Sequence, residues 1–426
     1  MKIYLILILV FLIGNYLLEL VARMLNLRAL SPELPEEFRG LMDAEKYRRS
    51  QEYIRDCGHF RGIRASVNLA ATLGFLLFGG FPWAERLSRA GGSTIVTGVL
   101  FLGICAFLSH VIDLPFDMWK TFRIEQKYGF NRTTWRTFVL DLIKGLLLGA
   151  LLGGAVAAAI LWLFTTMGAS AWLYAWGAVT GFQVVILFVA PVLIMPLFNK
   201  YTPLPDGELR STLETYIHAQ QFKMRGLFTM DGSRRSTRSN AFFTGFGRFR
   251  RIVLFDTLIQ KHTVPELLTV VAHEMGHYKK RHVLLFLLQS LVACGLIFAL
   301  LPLFLYNDAL AAAFGMPHAT VYAGLVFFGF LFTPISVVLG IFTNAVSRRC
   351  EYQADAYAAQ TTGQPEALIA ALKKLNVDNY GHLTPHPFVV ALSYSHPPVL
   401  ERIRAIRRLG ECEGLQGRDR DIKDRP

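Results

Sequence analysis

Residues 138–167 read FVLDLIKGLLLGALLGGAVAAAILWLFTTM, a run in which only Asp141 and Lys144 carry charge. Roughly 20 mostly apolar residues suffice for a helix to cross the hydrocarbon of a bilayer, so this stretch reads as a membrane span. Six others qualify by the same test, at about 3–20, 65–83, 94–116, 171–198, 283–306 and 319–346. The run behind Lys2 is long for the apolar region of a signal peptide, and no A-x-A cleavage site closes it, so it is read as a retained first span. Composition agrees: 53% of the 426 residues are hydrophobic and 18% charged, against about 25% charged in an ordinary soluble domain. This argues against a purely soluble globule and excludes disorder, collagen and a disulfide scaffold. The expected fold is an all-α polytopic membrane protein with seven transmembrane helices.

The formal net charge of +13, from 44 Lys and Arg against 31 Asp and Glu, has three candidate meanings: nucleic acid, an anionic membrane surface, or the charge bias of membrane topology. Placement decides among them. Residues 21–64, 117–137, 199–282 and 347–426 hold 40 of the 44, while the loops on the other side hold only Arg86 and Arg89. The positive-inside rule then puts the N-terminus outside and the C-terminus in the cytoplasm. No nucleic-acid partner is expected; the lipid bilayer is, with acidic lipid contact as a side effect. On this map 1–198 is a membrane domain of five spans with an amphipathic first loop, 199–282 a cytoplasmic segment, and 283–346 spans six and seven. Residues 347–410 form a second cytoplasmic segment and 411–426 a disordered tail. The location is multi-pass and integral, in a bacterial plasma membrane or endoplasmic reticulum.

Smaller features carry their own expectations. Pro35 to Gly58 has the start and stop of an amphipathic helix. Gly145, Gly149 and Gly153 recur every fourth residue and should let helices approach closely in lipid. Asp113, Asp117, Asp141 and Lys144 should pair or sit at the interface, with a watery internal cavity as the alternative. The five cysteines form no C-x-x-C pair and are expected to be unpaired. The sequon Asn131-Arg132-Thr133 falls on the cytoplasmic side, where glycosylation is discounted.

The chemistry concentrates in Thr263–His277, TVPELLTVVAHEMGH. Thr263 and Glu266 have the form of a capping box with Pro265 in the first turn, so a helix should start at about 264. His273 and His277, at i and i+4, stack on one face one turn apart, which suits two imidazoles meeting one tetrahedral zinc. Glu274 lies about 100° around that helix, where its carboxylate can take a proton from water the metal activates. A zinc hydrolase needs a third protein ligand. The histidine of HExxHxxGxxH is absent, since position 280 is Lys and position 283 is Val. His282 is one residue off that register and is read as an interfacial residue at the helix end. Glu351 and Asp355, again i and i+4, offer a ligand and a carboxylate to orient a ligand histidine. By spacing alone, a solvated acidic face is equally consistent.

HEMGH, EYQADAYA at 351–358, SNAFFTGFGRFRRIVLFDTL at 239–258 and SHPPVLERIRAI at 395–406 together resemble the CAAX prenyl protease 1 family of polytopic type I CAAX zinc endopeptidases. The first-loop DAEKYRRSQEY at 43–53, EQKYGFN at 125–131 and the seven spans extend the likeness over nearly the whole chain. The resemblance implies a barrel of seven helices around a large water-filled chamber, with a gluzincin-type HExxH site at its cytoplasmic end. It implies one Zn2+ per chain held by His273, His277 and Glu351, with Glu274 as general base. It further implies that His396 stabilises the oxyanion, that Asp355 and Arg402 brace the ligands, and that the substrate ends in a prenylated cysteine motif. By their own spacing, His396 is a loop histidine before two prolines and Arg402 is one basic residue of a helix.

Asn240–Phe243 and Ile252–Phe255 flank Gly245 and Gly247 and read as a small β-hairpin. A hairpin edge beside a metal can hold an extended peptide as an added strand, so Asn240, Ala241 and Phe242 are the expected substrate-binding residues. The expected function is a zinc-dependent membrane endopeptidase cutting peptide or protein substrates near their C-terminus, prenylated CAAX-type ones included. Two readings compete with it: a quality-control metalloprotease of the heat-shock type, and a polytopic transporter. The first fits about four spans rather than seven, and the second predicts paired halves with broken spans.

Overall fold

The structure is a computed structural model that describes residues 2–245 and 250–423, apart from the side chains of residues 90 and 412–423. The first span is α1 (Lys2–Arg28). The second is bent, α2 (Ala44–Leu77) meeting α3 (Gly80–Ser88) at 71°. The third is α4 (Thr94–Trp119), continued by a π-helical stretch at Lys120–Glu125. The fourth joins α5 (Trp135–Leu148) to α6 (Gly154–Thr166), and the fifth joins α7 (Ala171–Val189) to α8 (Met195–Phe198), each through a π-helical stretch. Outside the spans follow α9 (Glu208–Ala219), α10 (Asp256–Lys261) and α11 (Val264–Lys279). The sixth span is α12 (His282–Leu300) with α13 (Pro302–Leu305), and after α14 (Asp308–Ala313) the seventh is α15 (Val321–Thr362). The chain closes with α16 (Pro365–Asp378), α17 (Pro387–Ser393) and α18 (Val399–Lys423).

Consecutive spans pack on one another, and the seventh returns to the first: α1 on α2, α2 and α3 on α4, α4 on α6, α6 on α7, α7 on α12, α12 on α15, and α15 on α1. The ring leaves space between its members. A cavity of about 480 Å³ lies among Leu102, Ile160, Phe182 and Val326, and one of about 390 Å³ among Asn68, Cys105 and Phe330. Protein covers little of the apolar surface: in the most apolar window of Gly168–Phe198, 0% is buried. Water would not tolerate such a surface, and a bilayer supplies what covers it.

The first-loop helix differs from expectation. After a 3-10 turn at Glu36–Phe38, α2 starts at Asp43, whose carboxylate accepts from the Lys46 N–H at 2.7 Å, and it runs through Gly58 without stopping. Gly58 serves close packing instead, since a Cβ there would come within 2.8 Å of Leu27 on α1. The glycine stripe on the fourth span does the reverse: a Cβ at Gly145, Gly149 or Gly153 would meet nothing within 4 Å. Those glycines flank and enter the π-helical stretch Gly149–Gly153 rather than a helix contact. Asp113 and Asp117 are both held by Arg64 of α2, at 2.7 and 2.8 Å, as pairing predicts. Asp141 pairs mainly with Arg235 at 2.8 Å, with Lys144 4.0 Å away. Cys57, Cys105, Cys294 and Cys350 are free. Helix α18 continues to Lys423 through the stretch expected to be disordered, where Glu, Gln, Leu and Arg favour helix; residues 424–426 lie outside the described residues.

Beyond the spans sits a separate core. The strands β1 (Tyr201–Pro203), β2 (Gly226–Met230), β3 (Ala241–Thr244) and β4 (Arg251–Phe255) form one sheet in the order β1-β2-β4-β3. The expected hairpin is its β3–β4 edge, antiparallel with Ala241 opposite Leu254, while β2 and β4 run parallel. Gly247 lies outside the described residues. Leu267, Val271 and Met275, spaced by four on α11, bury one face of that helix in a core shared with Ile252 and Leu254 of β4, Ala358 of α15 and Ile403 of α18. The opposite pole of α11 is left for chemistry.

Candidate metal centre

Helix α11 begins as its sequence requires, with the Thr263–Glu266 capping box formed and Pro265 in the first turn. It carries His273 and His277 with their Nε2 atoms 3.2 Å apart. Glu351 comes from α15. At 1.5 Å per residue the 42 residues of that helix extend roughly 63 Å, about twice the hydrocarbon thickness of about 30 Å. The seventh span and the segment bearing Glu351 are therefore one continuous helical rod, with Pro334 inside it, where two separate segments were expected. Gly276 lets the rod and α11 touch, because a Cβ there would lie 3.0 Å from the Ala354 Cα. The Glu351 carboxylate reaches His273 Nε2 at 3.5 Å and His277 Nε2 at 3.3 Å.

These separations suit a metal. Ligands about 2.0–2.1 Å from a tetrahedral ion stand about 3.3–3.4 Å apart; the two Nε2 atoms are 3.2 Å apart, and Glu351 brings Oε2 to 3.5 Å from His273 and Oε1 to 3.3 Å from His277. Glu351 Oε2 is buried and makes no hydrogen bond among the described residues, with His273 Nε2 and Arg402 Nη1 each 3.5 Å away, a cost that a bound cation removes. Burial opposes ionisation of Glu351, but His273 and His277 outweigh it and hold the carboxyl well below the usual range. Burial likewise opposes charging His273, yet Asp355 and Glu351 draw its pKa up to about 9. Such a pocket suits a divalent cation in the proton's place. His273, His277 and Glu351 form the one candidate metal-holding group found among the described residues.

Each histidine has its own support. His273 Nδ1 meets Asp355 Oδ1 at 2.8 Å, and Arg402 grips the same carboxylate from Nε and Nη2 at 2.7 and 2.6 Å. Burial disfavours the Asp355 charge; Arg402 more than offsets it, and the carboxyl stays depressed. His277 Nδ1 lies 3.0 Å from His282 Nδ1, whose Nε2 is 2.9 Å from Gln353 Oε1. His282 is buried at 2% exposure rather than interfacial. Spacing hid this, because Arg281 takes a left-handed φ of 59° and breaks the chain between α11 and α12, turning a ring five residues on back toward His277. That Arg281 is neither Gly nor Asn marks a backbone held by its surroundings.

His396 is exposed, with Nε2 3.4 Å from Glu351 Oε1 and Nδ1 3.0 Å from the Ser395 hydroxyl. Its loop is tied to α15, where Arg348 donates to the Val390 and Tyr394 carbonyls at 3.0 and 2.7 Å and Asn344 to Leu392 at 3.2 Å. Glu274 is raised by burial, which its histidine neighbours and the nearby Phe243 backbone oppose. Strand β3 thus lies beside the centre. Because the Phe255 N–H donates to the Asn240 carbonyl at 3.1 Å, Asn240, Phe242 and Thr244 face β4, and the main-chain groups of Ala241 and Phe243 turn outward. The Asn240 side chain caps the Ala241 N–H at 2.9 Å. Of the three residues expected to hold a peptide, Ala241 offers its outward carbonyl, its N–H being taken by Asn240, while Phe242 spends its main-chain groups on the sheet.

Residues 203–409 match the model of peptidase family M48, and residues 23–200 match that of the CAAX prenyl protease N-terminal region with five membrane helices. The chain belongs to peptidase family M48. It is 36% identical over 413 residues to a CAAX prenyl protease 1 homolog of Oryza sativa subsp. japonica, covering 95% of this chain and 97% of that one. Identity to CAAX prenyl protease 1 of Saccharomyces cerevisiae is 32%, with 89% of each chain covered. The crystal structure of S. mikatae Ste24p superposes with a TM-score of 0.90 at 31% identity, over 95% of this chain and 99% of that one. The M48 chain is thus an integral-membrane metalloendopeptidase whose ring of spans is a chambered barrel of the Ste24p kind. Neither a transporter nor a four-span protease accounts for that match.

Proposed function

We propose that this M48 chain is a zinc endopeptidase that cuts prenylated CAAX-type proteins near their C-terminus at a cytoplasmic site. One observation carries the reading: His273, His277 and Glu351 converge at metal-ligand separations beside Glu274 and an open strand edge, in a chain similar along its whole length to proteins named CAAX prenyl protease 1. Zinc bound there would supply Lewis acidity, activating water and polarising the scissile carbonyl. The protein does the rest. The peptide lies along β3 and bonds to the Ala241 carbonyl and the outward main chain of Phe243. Glu274 takes the proton of the attacking water and returns it to the leaving amine. His396 donates from Nε2 to the oxygen that turns negative, in the tautomer whose Nδ1 accepts from the Ser395 hydroxyl. Asp355 and Arg402 hold His273, and Gln353 and His282 hold His277, so neither ring must reorganise during the reaction.

Glu274→Gln should abolish cleavage of a farnesylated peptide by the purified protein in detergent while zinc stays near one per chain; retained turnover would sink the mechanism. Comparing that peptide with its unmodified twin tests the substrate. Equal kcat/KM for the two would remove prenylation from the reading and leave the endopeptidase.

A further inference from the structure

DAEKYRRSQEY and EQKYGFN have no part in the chemistry above, yet they meet in one place. Tyr53, Tyr128 and Phe130 form a buried cluster with Cys57, Phe60 and Ile124. The Tyr53 ring stands 5.1 Å from Tyr128 and 5.2 Å from Phe130, both edge-on. Arg238 reaches into this cluster from the segment that leads into β3. Its guanidinium lies 4.5 Å over Phe130 and 5.4 Å over Tyr53 and donates to the two Glu125 oxygens at 3.2 and 3.0 Å. The Tyr53 hydroxyl donates to the same Glu125 at 2.9 Å. The flanking backbone is tied to the same block. Asn131 bridges Ser236, the Thr237 N–H donates to the Phe130 carbonyl at 3.1 Å, and the Arg132 N–H donates to the Arg235 carbonyl at 3.0 Å. Arg235 grips Asp141 of the fourth span through two bonds, at 2.8 and 3.0 Å.

The end of the third span and the start of the fourth are thus fastened directly to the lead-in of the peptide-docking edge. Beyond Arg238 the fastening passes to α16, where the Ser239 hydroxyl donates to Asp378 at 3.1 Å, and Ala241 follows two residues on. An edge strand is held by a ladder on one side only, and a peptide added to it inherits its position along the strand axis. Side chains alternate with a period of two, so a slip of two residues restores every facing and costs little in itself. Whatever fixes the end of β3 therefore decides which peptide bond stands opposite Glu274.

We infer that Arg238 and Glu125 are positioning residues that hold the β3 edge in register with the metal centre and so select the bond that is cut. This rests on β3 being the docking edge. The test uses the full chain in detergent and a peptide long enough to pair along Ala241–Phe243, with KM, kcat, zinc content and the cut position by mass spectrometry. In Arg238→Ala and in the milder Glu125→Gln, KM should rise about tenfold, which is about 1.4 kcal/mol of binding. The value of kcat should change by less than about threefold, and products cut two residues away should accompany the normal ones. Arg238→Lys, which keeps the charge, should recover most of the KM and the single cut. Unchanged KM and a single cut in both variants would overturn the inference. So would a fall in kcat at constant KM, or loss of zinc or of cooperative unfolding in both variants, which mark roles at the reacting groups or in plain structural support. Ala241→Pro sets a ring on the outward edge in place of the N–H that Asn240 caps, which blocks strand addition. If it leaves KM unchanged, the docking reading itself fails; if it raises KM and the other two variants do not, only the register role fails.

Discussion

His273 and His277 are equivalent in the HExxH pattern and unlike in their surroundings. An ionised carboxylate under Arg402 backs His273, whereas a neutral chain of His282 and Gln353 backs His277. With pKa values drawn to about 9, His273 carries a proton at neutral pH when no metal is bound. Metal binding at pH 7 should then release about one proton, fewer as pH rises past 9, and apparent affinity should climb with pH over that range. Titration calorimetry in buffers of different ionisation enthalpy reads that number, and no proton release at pH 7 would contradict it. On the other side, His277 needs its Nδ1–H directed to an acceptor, which the His282 ring supplies. His282→Ala should weaken metal binding by about 10–100-fold, measured against a competing chelator; unchanged affinity would mean that the ring only fills space. Ligand residue types at helical spacing were legible in the sequence. His282 was not, because its role depends on the left-handed turn at Arg281, which no local pattern announces.

Helix α11 works because of what lies on its two sides. Its buried face, Leu267, Val271 and Met275, follows from periodicity, and its start follows from the capping box. Its contact with α15 follows from neither: Gly276 sits where a Cβ would press on the Ala354 backbone at 3.0 Å. Gly276→Val should drive the two helices apart, costing about 1–3 kcal/mol of stability and lowering metal retention together with it. Thermal unfolding and zinc content on one preparation would show both, and a stable, zinc-loaded variant would refute the close-approach role. The β3–β4 hairpin was legible from two β-rich runs around glycines, but β1 and β2 were not. Tyr201–Pro203 spans three residues and Gly226–Met230 opens on glycine, so their strand character comes from pairing rather than propensity. Gly145, Gly149 and Gly153 teach the converse: a small-residue stripe permits close packing without causing it.

At the scale of the whole molecule, seven spans close into a ring and the soluble core hangs from their ends. By the positive-inside rule, the 40 basic residues on one side predict a cytoplasmic core and an α6–α7 connection, at Gly168–Ser170, on the outside. A membrane-impermeant thiol reagent should therefore label Ser170→Cys in intact cells, and label Ser211→Cys on α9 only after the cells are opened; the reverse pattern would invert the topology. Loss of the first span should cost more than anchoring, because α1 packs on both α2 and α15 and Asn26 of α1 accepts from the His386 N–H at 3.2 Å, ahead of the His396 loop.

The sequence by itself determined the spans, the sidedness of the charge, the start of α11 and the residue types of the metal centre. These are consequences of local composition and of the 3.6-residue period, which the chain carries wherever it folds. Tertiary structure alone decided that Glu351 rides on the seventh span, that His282 turns back on His277, that Gly276 is a contact, and that α2 and the end of the third span clamp Arg238 ahead of the peptide edge. Each of these joins residues between five and 185 positions apart, and such meetings depend on how helices cross and where a backbone breaks rather than on which residues are neighbours in the chain.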